Sequence, residues 1–264
     1  TSETKALTLD AVLDMQDDAA KARFDARNPK ETIEFFGIKP GMTVVEVLPG
    51  GGWYSKILLP YLGDDGALIG ADYSVDMWSK FGGFANEKFL EDRKSWAQTW
   101  SSDALAWRGG TQADVSAFAL GSMPADMKGT ADAIIAVRAM HHLNRFGGGY
   151  WDPAIADFKA ILKPGGVVGI VQHRAPEANP DTWANGDNGY IKQSFVIEKF
   201  EDAGFELVGE PSEINGNPKD QPTADDMVWR LPPTLGTSRE DSELEAKMTS
   251  IGESDRMTLL FRKK

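Results

Sequence analysis

Cysteine is absent from the 264-residue sequence, which removes disulfides, thiolate metal sites and a cysteine nucleophile together and leaves the redox compartment open. Histidine is scarce, with three residues at 141, 142 and 173, and without cysteine these offer no ligand cluster, so no metal site is expected. Positive charge is also short. Lys and Arg number 28 against 40 Asp and Glu, a net charge of −12, which repels a phosphate backbone and disfavours a nucleic-acid partner. Apolar runs of about 18 residues are missing, which argues against a membrane span. What is present suits a globular chain: 41% hydrophobic and 26% charged residues, at a length that fits one elaborated α/β domain over residues 1–264. A start at Thr1 without Met fits either a mature protein after signal cleavage or a trimmed chain.

Along the chain, Leu9, Val12, Leu13, Ala19, Ala20 and Phe24 form a loose helical stripe behind a Thr8 cap, so residues 8–26 are expected as a helix within a helical lead-in over 1–40. Asn28-Pro29-Lys30-Glu31 offers a cap, a first-turn proline and a third-position Glu for a second helix, which Gly37 stops. Thr43–Leu48 is a β-branched run of the kind buried in parallel sheets. Strand and helix text then alternates: helix 53–62, strand 67–72, helical text in 75–100, a weak strand near 113–118, strand 131–137, helix 152–162, the turn Lys163-Pro164-Gly165-Gly166, strand 167–172, helix 194–203 and strand 205–208. This order implies a doubly wound parallel sheet. Residues 211–250 hold five prolines and little apolar periodicity, so they read as a long excursion before a last strand at 256–262.

Chemistry concentrates at two strand ends. Glu46 closes the first strand and Pro49-Gly50-Gly51-Gly52 follows, where glycines let a backbone approach a ligand closely at the carboxyl edge of the sheet. A tight strand-to-helix turn explains the same residues. Asp72 ends the second strand about twenty residues past that turn, the place from which a carboxylate accepts from a ribose diol; it is equally suited to cap the following helix, as is Ser74. The pair indicates a nucleoside cofactor without saying which.

Val44–Gly52, Gly70-Ala71-Asp72-Tyr73-Ser74, Ala131–Ala136 and Leu162–Gly166 fall in the order of class I S-adenosylmethionine-dependent methyltransferase motifs, and the chain resembles that superfamily over residues 30–210. Within it the sequence looks like a bacterial group of predicted methyltransferases marked by Pro49-Gly50-Gly51-Gly52-Trp53-Tyr54, with Ser254-Asp255-Arg256 near the end. The resemblance implies a seven-stranded, mostly parallel Rossmann-like sheet in the order 3-2-1-4-5-7-6, with an antiparallel last strand. It implies S-adenosyl-L-methionine as cofactor and transfer to a small-molecule acceptor, with Pro49–Gly52 along the methionine part, Asp72 on the ribose and Tyr73 beside the adenine. Asp114 is the candidate for the acid that contacts adenine after the third strand, and Arg138 stands at the mouth of the cofactor pocket. Leu48 departs from the superfamily pattern by replacing its first glycine. The group often carries signal peptides, so a periplasmic or secreted location is expected, with a cytoplasmic one as the alternative.

His141 and His142 follow the fourth strand and His173 ends the fifth, which makes each a candidate general base for a hydroxyl or amine acceptor. A helix-starting packing motif is the competing reading of His141-His142-Leu143. Arg174 is the candidate anion holder, and Trp53 and Tyr54 are candidate pocket walls, with Trp151 and Trp183 more distant ones. Two other readings stay open: a nicotinamide-dependent oxidoreductase, disfavoured by the absent Gly-x-Gly-x-x-Gly, and a protein that binds or senses adenosylmethionine without transferring it.

Overall fold

The computed structural model describes residues 7–224 and 239–264. Its centre is a seven-stranded sheet in the order β3-β2-β1-β4-β5-β7-β6. The strands are β1 (Thr43–Val47), β2 (Ala67–Asp72), β3 (Asp114–Ala119), β4 (Ala131–Val137), β5 (Leu162–His173), β6 (Phe205–Gly209) and β7 (Arg256–Lys263). Pairs among β1 to β5 are parallel, and β7 runs antiparallel between β5 and β6. The expected order and the antiparallel last strand are both present. β1, β2 and β4 are almost wholly buried, as continuous apolar runs in a sheet covered on both faces should be. Two clusters form the core, one on each face. Ile134, Phe158, Phe200 and Phe261 belong to the first, and Ile33, Ile57, Leu58, Trp100 and Ile135 to the second.

The amino-terminal segment differs from the single helix expected over 8–26. It forms three short helices, Leu9–Asp14, Asp18–Lys21 and Phe24–Arg27. Thr8 Oγ1 accepts from the Ala11 N–H as anticipated, and Asp17 Oδ1 caps a new start by accepting from Ala20. A capping carboxylate within the apolar stripe restarts the helix because it satisfies backbone donors that the preceding turn would otherwise occupy. Helix Pro29–Phe35 begins at its proline, but Asn28 is not its side-chain cap. Asn28 adopts φ 45°, and its Nδ2 donates to the Ile214 carbonyl and Asn215 Oδ1, tying the lead-in to the segment before β7.

Among its described residues, the excursion after β6 is more regular than its composition suggests. Helix Ser212–Asn215 and helix Ser242–Ile251 lie within it, the second capped by Asp241, whose Oδ1 accepts from Glu243 and Leu244. Only Met248 of that second helix is buried, so it carries little apolar signal for periodicity to detect. β5 includes the Lys163–Gly166 segment expected as a turn, with a register irregularity against β4 there.

Candidate active site

The strand order reverses between β1 and β4, with β2 on the far side of β1 and β5 on the far side of β4. Beyond their carboxyl ends a cavity of roughly 1030 Å³ opens, and its base is formed by Leu48, Pro49, Gly50, Gly51, Val137 and Arg138. Such a crevice is where open α/β sheets take their ligands. Gln16, Ala20, Arg23 and Arg27 from the amino-terminal helices form one wall, and the three histidines with Asn188, Tyr190 and Ser254 form the other.

The glycines of the β1 turn divide their work. Gly50 has φ 56° and Gly52 has φ 85°, the left-handed region that favours glycine. A Cβ on Gly52 would lie 2.7 Å from the Trp107 ring, whereas one on Gly51 meets nothing within 4 Å. Gly52 thus serves packing, and Gly51 keeps the backbone bare on the cavity side. Leu48 takes φ 51°, so the loop keeps a left-handed residue there despite its side chain. Arg138 at the end of β4 also has positive φ, 55°.

His141, His142 and His173 converge, with ring centroids 3.9 Å apart for His141 and His142 and 5.8 Å for His141 and His173. Gln172, fully buried on β5, sets the first of these. Its Nε2 donates to the Gly189 carbonyl at 2.9 Å, which turns its Oε1 to accept from the His141 backbone N–H and to lie 3.1 Å from His141 Nδ1. An amide oxygen only accepts, so the network holds His141 as the Nδ1–H tautomer with the lone pair on Nε2. The Arg145 guanidinium, 3.4 Å from His142 Nδ1, can only donate and assigns His142 the opposite tautomer. His142 also packs edge-on against Tyr73 and Phe81. His173 Nδ1 lies 2.6 Å from Ser254 Oγ.

Several residues read from the sequence stand elsewhere. Asp114 begins β3 beside Ala67 and is exposed, at the amino edge of the sheet and across the molecule from the cavity; a side chain that starts a parallel strand cannot reach the ligand edge. Arg174 is engaged within the protein. Both Asp255 oxygens accept from its Nε and Nη2 at 2.9 and 2.8 Å, and Gln193 accepts from Nη1, so its fork clamps β5 to the approach of β7. Tyr73 is fully buried with its hydroxyl donating to the Ala139 carbonyl, and Trp151 is core. Trp183 packs against Tyr190.

Asp72 sits at the carboxyl end of β2 as expected but is covered. Trp78 Nε1 and Arg93 Nη1 donate to its Oδ2 at 3.0 and 2.9 Å, and its Oδ1 is buried with no hydrogen-bond partner. Burial pushes its pKa up and Arg93 opposes that shift. The helix cap role belongs instead to Ser74, whose Oγ accepts from the Met77 N–H. Glu46 is buried, accepts a hydrogen bond from Ser55 Oγ at 2.5 Å, and has its pKa pushed up to about 8 by burial.

Trp53 lines the cavity, its ring carrying the Arg27 guanidinium at 4.5 Å. Tyr54 and Glu46 line a second crevice beside the cavity, of about 70 Å³, together with Arg27, Arg138 and Arg256. The sequence reading missed Arg23, Arg27, Lys56 and Arg256. Arg23 and Arg27, four residues apart in the lead-in, were the available signal. Among the described residues no group of three His, Asp or Glu is placed to hold a metal ion, and no helix is long and apolar enough to cross a membrane.

Comparison with known proteins supports the fold. No protein-family model matches the chain. Among solved structures, a SAM-dependent methyltransferase from Aquifex aeolicus superposes with a TM-score of 0.52 and 15% identity over 98% of this chain and 100% of that one. A structure from Galdieria sulphuraria assigned as a sarcosine dimethylglycine methyltransferase gives 0.54 and 10% identity, over 96% and 90% of the two chains. At the sequence level, a segment of 49 residues is 45% identical to ribosomal RNA small subunit methyltransferase H of Flavobacterium psychrophilum, covering 19% of this chain and 17% of that protein. The fold is therefore the Rossmann-like one that SAM-dependent methyltransferases adopt.

Proposed function

We propose that the chain is an S-adenosylmethionine-dependent methyltransferase acting on a small-molecule acceptor. One observation carries this reading: the Gly turn after β1, two imidazoles from the helix after β4 and one from the end of β5 meet in a single cavity at the point where the strand order reverses. Two further residues bear on the donor. Gly51 leaves open backbone for the methionine part, and Asp72, outside the cavity's lining at the carboxyl end of β2, is a carboxylate that a ribose hydroxyl could reach only once Trp78 and Arg93 move aside. The sulfonium donor, when bound, supplies an electrophilic methyl group.

The protein's share is then alignment, exclusion of water and removal of a proton from the acceptor. His141 suits the last task, because Gln172 fixes Nδ1–H and directs basicity to Nε2. His173 is the second base, steered by Ser254. His142, packed against Tyr73 and Phe81, shapes the wall between the cavity and the aromatic cluster. Trp53 and, from the amino-terminal segment, Gln16, Ala20, Arg23 and Arg27 line the chamber as well. The net charge of −12 supports a small acceptor over a nucleic acid.

Calorimetry with S-adenosylhomocysteine and with NADH separates the leading readings. We expect one site for S-adenosylhomocysteine and no heat with NADH; the reverse pattern assigns the fold to a nicotinamide enzyme. Transfer from methyl-labelled donor to a small-molecule library, lost in His141→Gln with donor affinity kept, distinguishes an enzyme from a protein that only binds the cofactor.

A further inference from the structure

Asp72 is walled off from the chamber by its own neighbours. His142 lines the cavity and packs edge-on against Tyr73 and Phe81. Behind that wall Phe81, Phe84 and Phe89 surround the Trp78 indole, whose Nε1 donates to Asp72 Oδ2 beside Arg93 Nη1. The Arg93 guanidinium is itself held by rings, 4.6 Å from the centre of Trp78 and 4.7 Å from that of Phe89. It is also the ion pair that ties helix Glu87–Lys94 to the sheet, because Lys88–Asp92 and Lys94–Glu91 both lie within the helix.

This cover is thinly fastened. No residue from Ser79 to Thr99 is buried, and Phe84 is 59% exposed. Gly82 and Gly83 precede it with φ 65° and 48°, and an added Cβ at either meets nothing within 4 Å, so they serve the backbone path and not packing. Helix Val75–Ser79, just before them, is anchored: Ser74 caps it, Met77 is buried, and the Tyr150 hydroxyl donates to Asp76. A segment with few buried apolar contacts opens at a lower free energy than the sheet it covers, and the glycine pair between the anchored helix and the surface one is where the backbone change falls. Asp72 resists that opening. Burial raises its pKa and Arg93 opposes the shift, so withdrawal of Arg93 alone leaves a buried carboxylate short of donors. A ligand with hydroxyls on adjacent carbons replaces the two N–H donors that leave.

Resting on the methyltransferase reading for its ligand, we infer that residues 80–94 are a hinged flap over Asp72, latched by Arg93 and the Trp78 indole, which opens on Gly82 and Gly83 to admit the diol of a nucleoside. As the flap swings out, Arg93 leaves Asp72. The indole then turns aside, having lost its Arg93, Phe84 and Phe89 neighbours, and the diol takes over the hydrogen bonds to the carboxylate. Latch and ligand compete for one acceptor, so the closed state lowers apparent affinity in proportion to the fraction of molecules that are open. The exchange also favours a vicinal diol, since a nucleoside with one hydroxyl fewer restores one donor of two.

Hydrogen exchange on the ligand-free protein tests the flap without any methyl donor. Amides of 80–94 should exchange through an opening that leaves β1, β2 and β4 protected, and Arg93→Met should speed that exchange severalfold while the strands keep their rates. Phe84→Ser, which leaves the Arg93–Asp72 pair in place, should do the same; it is the second variant because Arg93→Met alone could unfold the segment. Exchange of 80–94 only together with the strands, or at the wild-type rate in both variants, overturns the flap. Titration with S-adenosylhomocysteine then tests what the flap admits. Both variants should bind about threefold or more tighter than wild type, and saturating ligand should speed exchange of 80–94 while slowing that of the Gly turn. Equal or weaker binding in both variants, or slowed exchange of 80–94 in the complex, overturns the latch and makes Arg93 part of the ligand's seat or of the fold. No binding by wild type or variants, with the latch-dependent exchange present, overturns the methyltransferase reading and leaves the flap standing.

Discussion

At the scale of single residues, Glu46 makes the sharpest statement. A carboxyl buried against Ser55 with a pKa near 8 binds a proton in the folded state at pH values where the unfolded chain has released it. Its contribution to stability is therefore full below about pH 4.5 and is lost as pH rises through about 8, with a slope of up to about 1.4 kcal/mol per pH unit between those limits. Glu46→Gln keeps an acceptor for Ser55 and has no proton to lose. Urea unfolding at pH 5 to 8 should show wild-type stability falling relative to the variant by that slope; parallel curves refute the buried neutral acid. Glu46 was legible in the sequence as the end of β1, but its protonation was not, because desolvation depends on what the rest of the chain places over it. The same holds for Asp72. Its position could be read from spacing, whereas its cover by Trp78 and Arg93 comes from residues six and twenty-one places away. Arg174 shows the converse case. A fork at a strand end suggested a ligand, and Asp255, 81 residues further on, satisfies it.

Among the elements, the turn after β1 concentrates the functional argument. Gly51 and Gly52 are adjacent and look alike in sequence, yet an added methyl group meets open space at the first and the Trp107 ring at the second. Gly51→Ala should leave the melting temperature of the free protein close to wild type and weaken S-adenosylhomocysteine binding. Gly52→Ala, which adds both a clash and a side chain at φ 85°, should destabilise the free fold by about 1 to 3 kcal/mol. Equal effects of the two substitutions on stability would contradict this division. Strands were read closely from β-branched runs, β2 and β4 to the residue. The lead-in was not, because apolar periodicity continues through Asp17 while its carboxylate restarts the helix. Helix Ser242–Ile251 escaped notice for a different reason: it buries one residue, so its sequence carries no stripe.

For the whole molecule, the sheet order explains how residues far apart in sequence come to share one chamber. β7 is the last strand yet lies between β5 and β6, which brings Ser254 to His173 and Arg256 to the crevice beside Glu46 and Arg138. The amino-terminal helices close the other side with Arg23 and Arg27. Cavity, bases and cationic crevice are thus a product of topology, with Gln16, Ala20, Arg23 and Arg27 from one end of the chain and Ser254 from the other lining the same cavity as the Gly turn. The central claim is that a methyl donor lies in this chamber along the β1 turn. A crystal structure with S-adenosylhomocysteine tests it most directly. The account predicts the homocysteine part over Gly50 and Gly51 with its sulfur on the side of His141 and His173, and the ribose hydroxyls on Asp72 Oδ1 after Trp78 and Arg93 have shifted aside. A nucleoside bound away from the Gly turn, or a saturated crystal in which the chamber holds no ligand, would contradict it.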